Sequence, residues 1–145
     1  PWIALLEQAR AAGADAAERV ESALAAELEY ATSKDQGRMR REAGERGKRA
    51  ARRAQTAALD RGLALVGLWL RDVACVLDGV PELAHHSDRR AQLAEDASRG
   101  AAASVLRAGQ QLVEDARAAL ALNPNEELLF DALGSRLARA LSGGT

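Results

Sequence analysis

Aromatic side chains are nearly absent from these 145 residues: two tryptophans, one tyrosine and one phenylalanine make up 3 % of the chain. So few rings are poorly suited to line an enclosed ligand pocket or to form a platform for stacked bases. A single cysteine, Cys75, excludes a disulfide framework and a paired-thiolate metal cluster. Set inside an apolar helical run, it reads as a small buried hydrophobe. Three prolines and few β-branched residues leave little to break a helix and little to favour a strand. No apolar run reaches the ~18–20 residues of a membrane span; Leu63–Leu70 comes nearest and stops at Arg71–Asp72. No phosphate-binding loop, dinucleotide turn or nucleophile elbow occurs. Neighbouring acids such as Glu114–Asp115 and Glu126–Glu127 diverge around a helix and read as solvated faces. The reading is of a non-enzyme that needs no cofactor and no small-molecule substrate.

What is present is 48 % apolar, led by alanine, with leucine, arginine and glutamate, the strongest helix formers. The fold class is therefore all-α, a helical bundle of about five to six helices within one structural domain. The first residues are Pro1 and Trp2, without an initiator methionine or a signal peptide, which predicts a fragment of a longer gene product. Pro1 suits a first helical turn, with Trp2, Leu5, Leu6 and Ala9 at helical spacing. Gly13 is expected to end that helix and Asp15 to cap a second one through Thr32, striped by Val20, Leu24 and Leu28. Leu59, Leu63, Val66, Leu70, Val73 and Leu77 mark a long helix over Ala54–Asp78, which Gly79 and Pro81 terminate. Gly62 and Gly67 inside it point to close helix packing. A short helix follows over Arg89–Ser98, then a periodic one from Ala101 to Ala121. Asn123 and Pro124 read as N-cap and first residue of the last helix, Glu126 as the capping-box partner, and Asn125 as a further structural cap in the same turn. Residues 142–145 read as a flexible tail.

The net charge of −1 conceals three blocks. Residues 1–33 carry −4 and residues 54–145 carry −3. Between them, segment 34–53 holds Lys34, Arg38, Arg40, Arg41, Arg46, Lys48, Arg49, Arg52 and Arg53 against three acids, a local balance of +6. Met39 is its one large apolar residue, so it has no evident face to bury and is expected to be an exposed helix or partly disordered, loosened at Gly37, Gly44 and Gly47. Such a stretch either follows a phosphate backbone or serves as a solvated helix offsetting its acidic neighbours.

The other feature is Arg71–Asp72, a charged pair directly after Trp69–Leu70 in the apolar helix. A buried charge is costly unless paired and hydrogen-bonded, so the pair predicts a fixed contact, within the domain or across an interface. Trp69 sits at the margin of the apolar stripe and reads as a core residue. His85–His86–Ser87–Asp88 lacks the converging three or four ligands of a metal site. It is expected to be a turn in which Ser87 or Asp88 caps the next helix.

Taken in order, Trp69–Leu70–Arg71–Asp72, the turn at His86–Ser87–Asp88, and the Asn123–Pro124–Asn125 break before Glu126–Leu133 resemble the C-terminal domain of bacterial clamp-loader subunits of DNA polymerase III. The delta-prime subunit is the nearest likeness, and Arg46–Arg53 leading into Ala57–Arg61 resembles its actinobacterial form. The resemblance covers roughly residues 38–141; residues 1–35 share only helical character. None of these motifs is a catalytic signature, and the turn reads His–Ser–Asp where relatives often have a proline in the middle.

The resemblance implies a non-catalytic collar domain. In that family, helical C-terminal domains pack side by side into a ring that holds ATPase-type modules while a sliding clamp is placed on primed DNA. It implies the gamma/tau and delta subunits as partners, a cytoplasmic location, and a bracing or interface role for Trp69, Arg71 and Asp72. The equivalent gamma/tau domain, a regulator's helical domain and nucleic-acid binding through 34–53 remain alternatives.

Overall fold

The computed structural model describes residues 2–142, and among these there is no strand. Five α-helices appear: α1 (Ile3–Leu28), α2 (Ser33–Leu77), α3 (Arg90–Ala97), α4 (Ala103–Leu120) and α5 (Glu126–Ser142). Short 3-10 turns at Pro81–Leu83 and Ser87–Arg89 link α2 to α3. The all-α bundle expected from composition is what forms. The chain divides into two compact units, residues 3–59 and Trp2 with the chain from Asp60 onward; α2 contributes to both.

In the first unit, α1 runs without a break through Gly13 and Asp15, so neither residue marks a boundary. Gly13 is buried, and a Cβ there would lie 3.1 Å from the Ala51 carbonyl oxygen of α2. Absence of a side chain is used for close approach between helices rather than to stop one. Ala9 and Ala16 are buried on the same face, and Val20, Leu24 and Leu28 are half-buried. The chain turns over residues 29–32. Thr32 then precedes α2, its Oγ1 donating to Asp35 Oδ2 at 2.7 Å.

Segment 34–53 is helical throughout, which decides between the two expected states in favour of a helix. It also has a face to bury, one of small residues: Ala43 is 2 % exposed, Gly47 is buried and Ala50 half-buried. Alanine and glycine allow that burial without the large apolar side chains by which a buried face is usually recognised.

In the second unit, Asp60–Leu77 of α2 runs antiparallel to α4. Asp60 pairs with Arg117 and Asp78 with Arg107, the latter at 2.7 Å. Between these ends Gly67 and Gly109 provide the close approach. A Cβ on Gly67 would stand 3.5 Å from Val113 Cγ1, and one on Gly109 would stand 3.4 Å from Leu70 Cδ1. Helix α5 packs on α4, burying Phe130, Leu133 and Leu137 on one side and Leu106, Val113, Ala116 and Leu120 on the other. The Trp2 ring lies 5.3 Å from Phe130, tilted by 60°. A second cluster of Val73, Ala74, Ala84, Leu93 and Leu106 seats α3 and the preceding loop on α2. Cys75 is half-buried rather than fully enclosed.

Two expected caps, Asn123 and Asp88, are corrected, and a third, Asn125, forms. Asn123 has φ 56°, in the left-handed region that asparagine tolerates, and its N–H bonds to the Leu120 carbonyl, so it closes α4. Asn125 is the N-cap of α5, its Oδ1 accepting from the Leu128 N–H at 3.1 Å. Helix α5 therefore starts at Glu126 instead of Pro124. Asp88 lies within a 3-10 turn, and α3 starts without a side-chain cap. The Asp88 carboxylate is 78 % exposed and 3.9 Å from Arg89 Nε. Ser142, expected in the tail, is the last residue of α5. Pro1 and the remainder of the tail, residues 143–145, lie outside the described residues.

Candidate functional site

The second unit is organised around one carboxylate. Helix α2 delivers Asp72 to its buried side, with the side chain 0 % exposed. After Leu77, Gly79 at φ 77° lets the chain reverse, and Ala84 is extended. That path brings two successive main-chain amides to Asp72: His85 N–H donates to Oδ1 at 2.9 Å and His86 N–H donates to Oδ2 at 2.8 Å. His86 Nδ1 also lies 2.7 Å from Oδ2. An ionised carboxylate only accepts, so this geometry selects the tautomer that carries its proton on Nδ1. Burial pushes the Asp72 pKa up, but the His85 and His86 amides and the imidazole outweigh it, and the pKa lies below its ordinary value.

Trp69, one helical turn before Asp72, faces the same way. Its Nε1 donates to Asp96 Oδ2 of α3 at 2.8 Å, and its ring meets the His86 ring edge-on at 5.5 Å. Arg99 Nη1 approaches the other Asp96 oxygen at 3.2 Å. Residues 69 and 72 thus secure both segments that follow α2: the loop through Asp72, and α3 through Trp69. Leu70, Val73, Leu106 and Leu141 floor a cleft of ≈ 260 Å³ beside this arrangement.

The two expected partners separate at this point. Asp72 is buried and served by the loop; Arg71 keeps 44 % of its side chain exposed and touches Asp72 only through Nη1 at 3.3 Å. The predicted fixed contact exists within the unit, but its main donors are amides rather than the neighbouring guanidinium. His85 is exposed and His86 half-buried. Among the described residues no group of three or more histidines, cysteines or acids is placed to hold a metal ion.

A second polar node carried no strong sequence signal. Arg117 on α4 donates from Nε to Asp60 Oδ1 at 2.8 Å and from Nη1 to Glu114 Oε2 at 3.0 Å. Its bond to Asp60 first, and that to Glu114 next, outweigh burial and raise its pKa. Glu114, expected on a solvated face, is therefore half-buried and paired. Only the i,i+3 spacing of Glu114 and Arg117 was visible beforehand; Asp60 lies 57 residues from Arg117.

The basic residues of segment 34–53 lie around more than one side of α2: at 100° per residue Arg40 falls toward the side of Ala43 and Gly47, and Arg46 reaches Glu27 of α1. Arg38, Arg40, Arg41, Arg46, Lys48, Arg49 and Arg53 are exposed and Arg52 is half-buried. Arg38 pairs with Asp35 and Glu42, Lys48 with Glu45 at 3.0 Å, and Arg46 approaches Glu27 at 4.0 Å. Among the described residues, no ion pair engages Arg40, Arg41, Arg49 or Arg53.

No described helix is long and apolar enough to cross a membrane. No family model, curated protein or solved structure matches this chain.

Proposed function

We propose that this chain is a non-catalytic oligomerisation domain, the collar domain of a cytoplasmic DNA polymerase III clamp-loader subunit of the delta-prime type. It would assemble with the corresponding domains of the gamma/tau and delta subunits.

One observation carries the reading. The resemblance rests on separated blocks, Trp69–Asp72 and the turn at His86, and these blocks meet at the Asp72 carboxylate. A motif whose parts are spatial partners has a physical reason to keep its order and spacing. In this setting Trp69 and Asp72 brace the domain internally, while Arg71, half exposed beside them, is free to face a neighbour. Leu65 at 58 %, Leu83 at 58 %, Leu122 at 83 % and Leu128 at 67 % exposure give the second unit apolar surface of the kind that association covers.

The test is to mix the chain with the C-terminal domains of the gamma/tau and delta subunits from the same organism. Size-exclusion chromatography with light scattering then reads the masses. A stoichiometric hetero-complex, weakened by Arg71→Ala without loss of helicity, is the expected result. Three separate peaks at tens of micromolar would reject the collar assignment, whether delta-prime or gamma/tau.

A further inference from the structure

We infer that the outer face of α2 between Arg38 and Arg53 is a binding surface for the phosphate backbone of duplex nucleic acid, read without sequence specificity. The collar reading neither requires this surface nor supplies it.

The geometry begins with order. Because α2 is unbroken from Ser33, its cations hold fixed spacings instead of averaging over a loose chain. At 1.5 Å per residue and 100° per step, Arg38, Arg41, Arg49 and Arg53 fall within about one third of the helix circumference, along about 22 Å of its length. Ala43, Gly47 and Ala50 occupy the opposite side, where they are buried or half-buried. The small-residue side thus fixes which way the arginines point.

Local acids leave this surface basic. Glu42 and Glu45 lie on the same side as the arginines, but Arg38 engages Glu42 and Asp35, and Lys48 engages Glu45, so Arg41, Arg49 and Arg53 are the cations this surface keeps available. Arg41, Arg49 and Arg53 carry no ion pair among the described residues. The chain as a whole carries −1, so attraction to a polyanion cannot come from overall charge and must come from this face.

Composition selects the partner. Seven of the nine cations in 34–53 are arginines, whose planar fork matches two phosphate oxygens at once. A protein partner is normally held by a central aromatic or aliphatic anchor, and this face offers none; Met39 is half-buried. An anionic membrane would need an apolar side to insert, but the opposite side of this helix is narrow, small and already covered. A single strand would be favoured by aromatic stacking, and no ring is interleaved with the arginines. A rigid row of cations without anchors fits a rigid, regularly charged rod.

The experiment is fluorescence anisotropy of a labelled mixed-sequence 20-base-pair duplex titrated with the full chain between 50 and 200 mM salt. Binding is expected at low salt, with log K falling linearly against log salt. The triple variant Arg41→Gln/Arg49→Gln/Arg53→Gln should weaken binding at least about 30-fold at 50 mM salt. Its slope should be shallower by about 2.7, from three contacts at about 0.9 each. The charge-matched variant Arg90→Gln/Arg136→Gln/Arg139→Gln should bind within about threefold of the parent, and circular dichroism verifies that both variants remain helical.

Three results would overturn the inference: no binding at 50 mM salt, equal losses in the two triple variants, or a polyglutamate peptide competing as well as unlabelled duplex. A single strand of equal length binding tenfold more tightly would overturn the assignment to duplex.

Discussion

At the scale of single residues, the decisive group is Asp72, whose two oxygens take two amides and an imidazole while fully buried. Asp72→Asn replaces one acceptor by a donor that faces other donors. It should lower stability by about 2–4 kcal/mol in urea melts, the cost of unsatisfied buried groups. Arg71→Ala removes only a half-exposed partner and should cost less than about 1 kcal/mol. The same carboxylate sets an acid limit. Its folded pKa lies below the ordinary 3.8, so its contribution is complete above that value and is lost as pH falls through the folded value. The stability gap between the parent and Asp72→Asn should therefore narrow as pH falls below about 4, read by urea melts across that range. The cost of burying Asp72 was legible in the sequence, and so was the conclusion that something must satisfy it. Its partners were not, because main-chain amides carry no sequence identity. The Trp69–Asp96 bond was hidden in another way: its ends are 27 residues apart and neither is distinctive alone.

At the scale of elements, glycine has two opposite meanings in the same pair of helices. Gly13 is a contact position, where an added Cβ comes within 3.1 Å of the Ala51 carbonyl oxygen, whereas a Cβ on Gly44 meets nothing within 4 Å. Gly44→Ala should raise the melting temperature, gaining about 0.5–1 kcal/mol of helix propensity. Gly13→Val should lower it by forcing two backbones apart. Thermal circular dichroism of both variants distinguishes a packing glycine from an idle one. Sequence periodicity located the helices well wherever leucine and valine defined a stripe, as in α4 and α5. It failed at Gly13 and over 34–53, where the buried side is alanine and glycine and gives almost no hydropathy contrast. The caps around Asn123–Pro124–Asn125 were misread by two residues for a related reason. Two asparagines suit both the end of one helix and the start of the next, and it takes φ at Asn123 and the Asn125 Oδ1 bond to the Leu128 N–H to separate the roles.

At the scale of the whole molecule, charge is segregated rather than balanced. Blocks of −4, +6 and −3 sum to a total of −1, and the central block lies on a continuous helix. A chain of this net charge should flow through a cation exchanger if only its total mattered. Retention on heparin at pH 7 in low salt, abolished in the Arg41/Arg49/Arg53 triple glutamine variant, is the expected outcome. Flow-through of the parent would show that the acidic blocks screen the basic one. The Asp72 contact also bears on the order in which the second unit assembles. It joins residues only 13 and 14 apart, whereas the Arg117–Asp60 bond spans 57. Closing the shorter loop costs about 1.3 kcal/mol less chain entropy, which places the carboxylate among the first long-lived contacts. Refolding of Asp72→Asn should accordingly slow nearly in proportion to its lost stability, while Arg117→Ala should mainly quicken unfolding. On that expectation, the brace of the finished molecule is also an early point in the building of its unit.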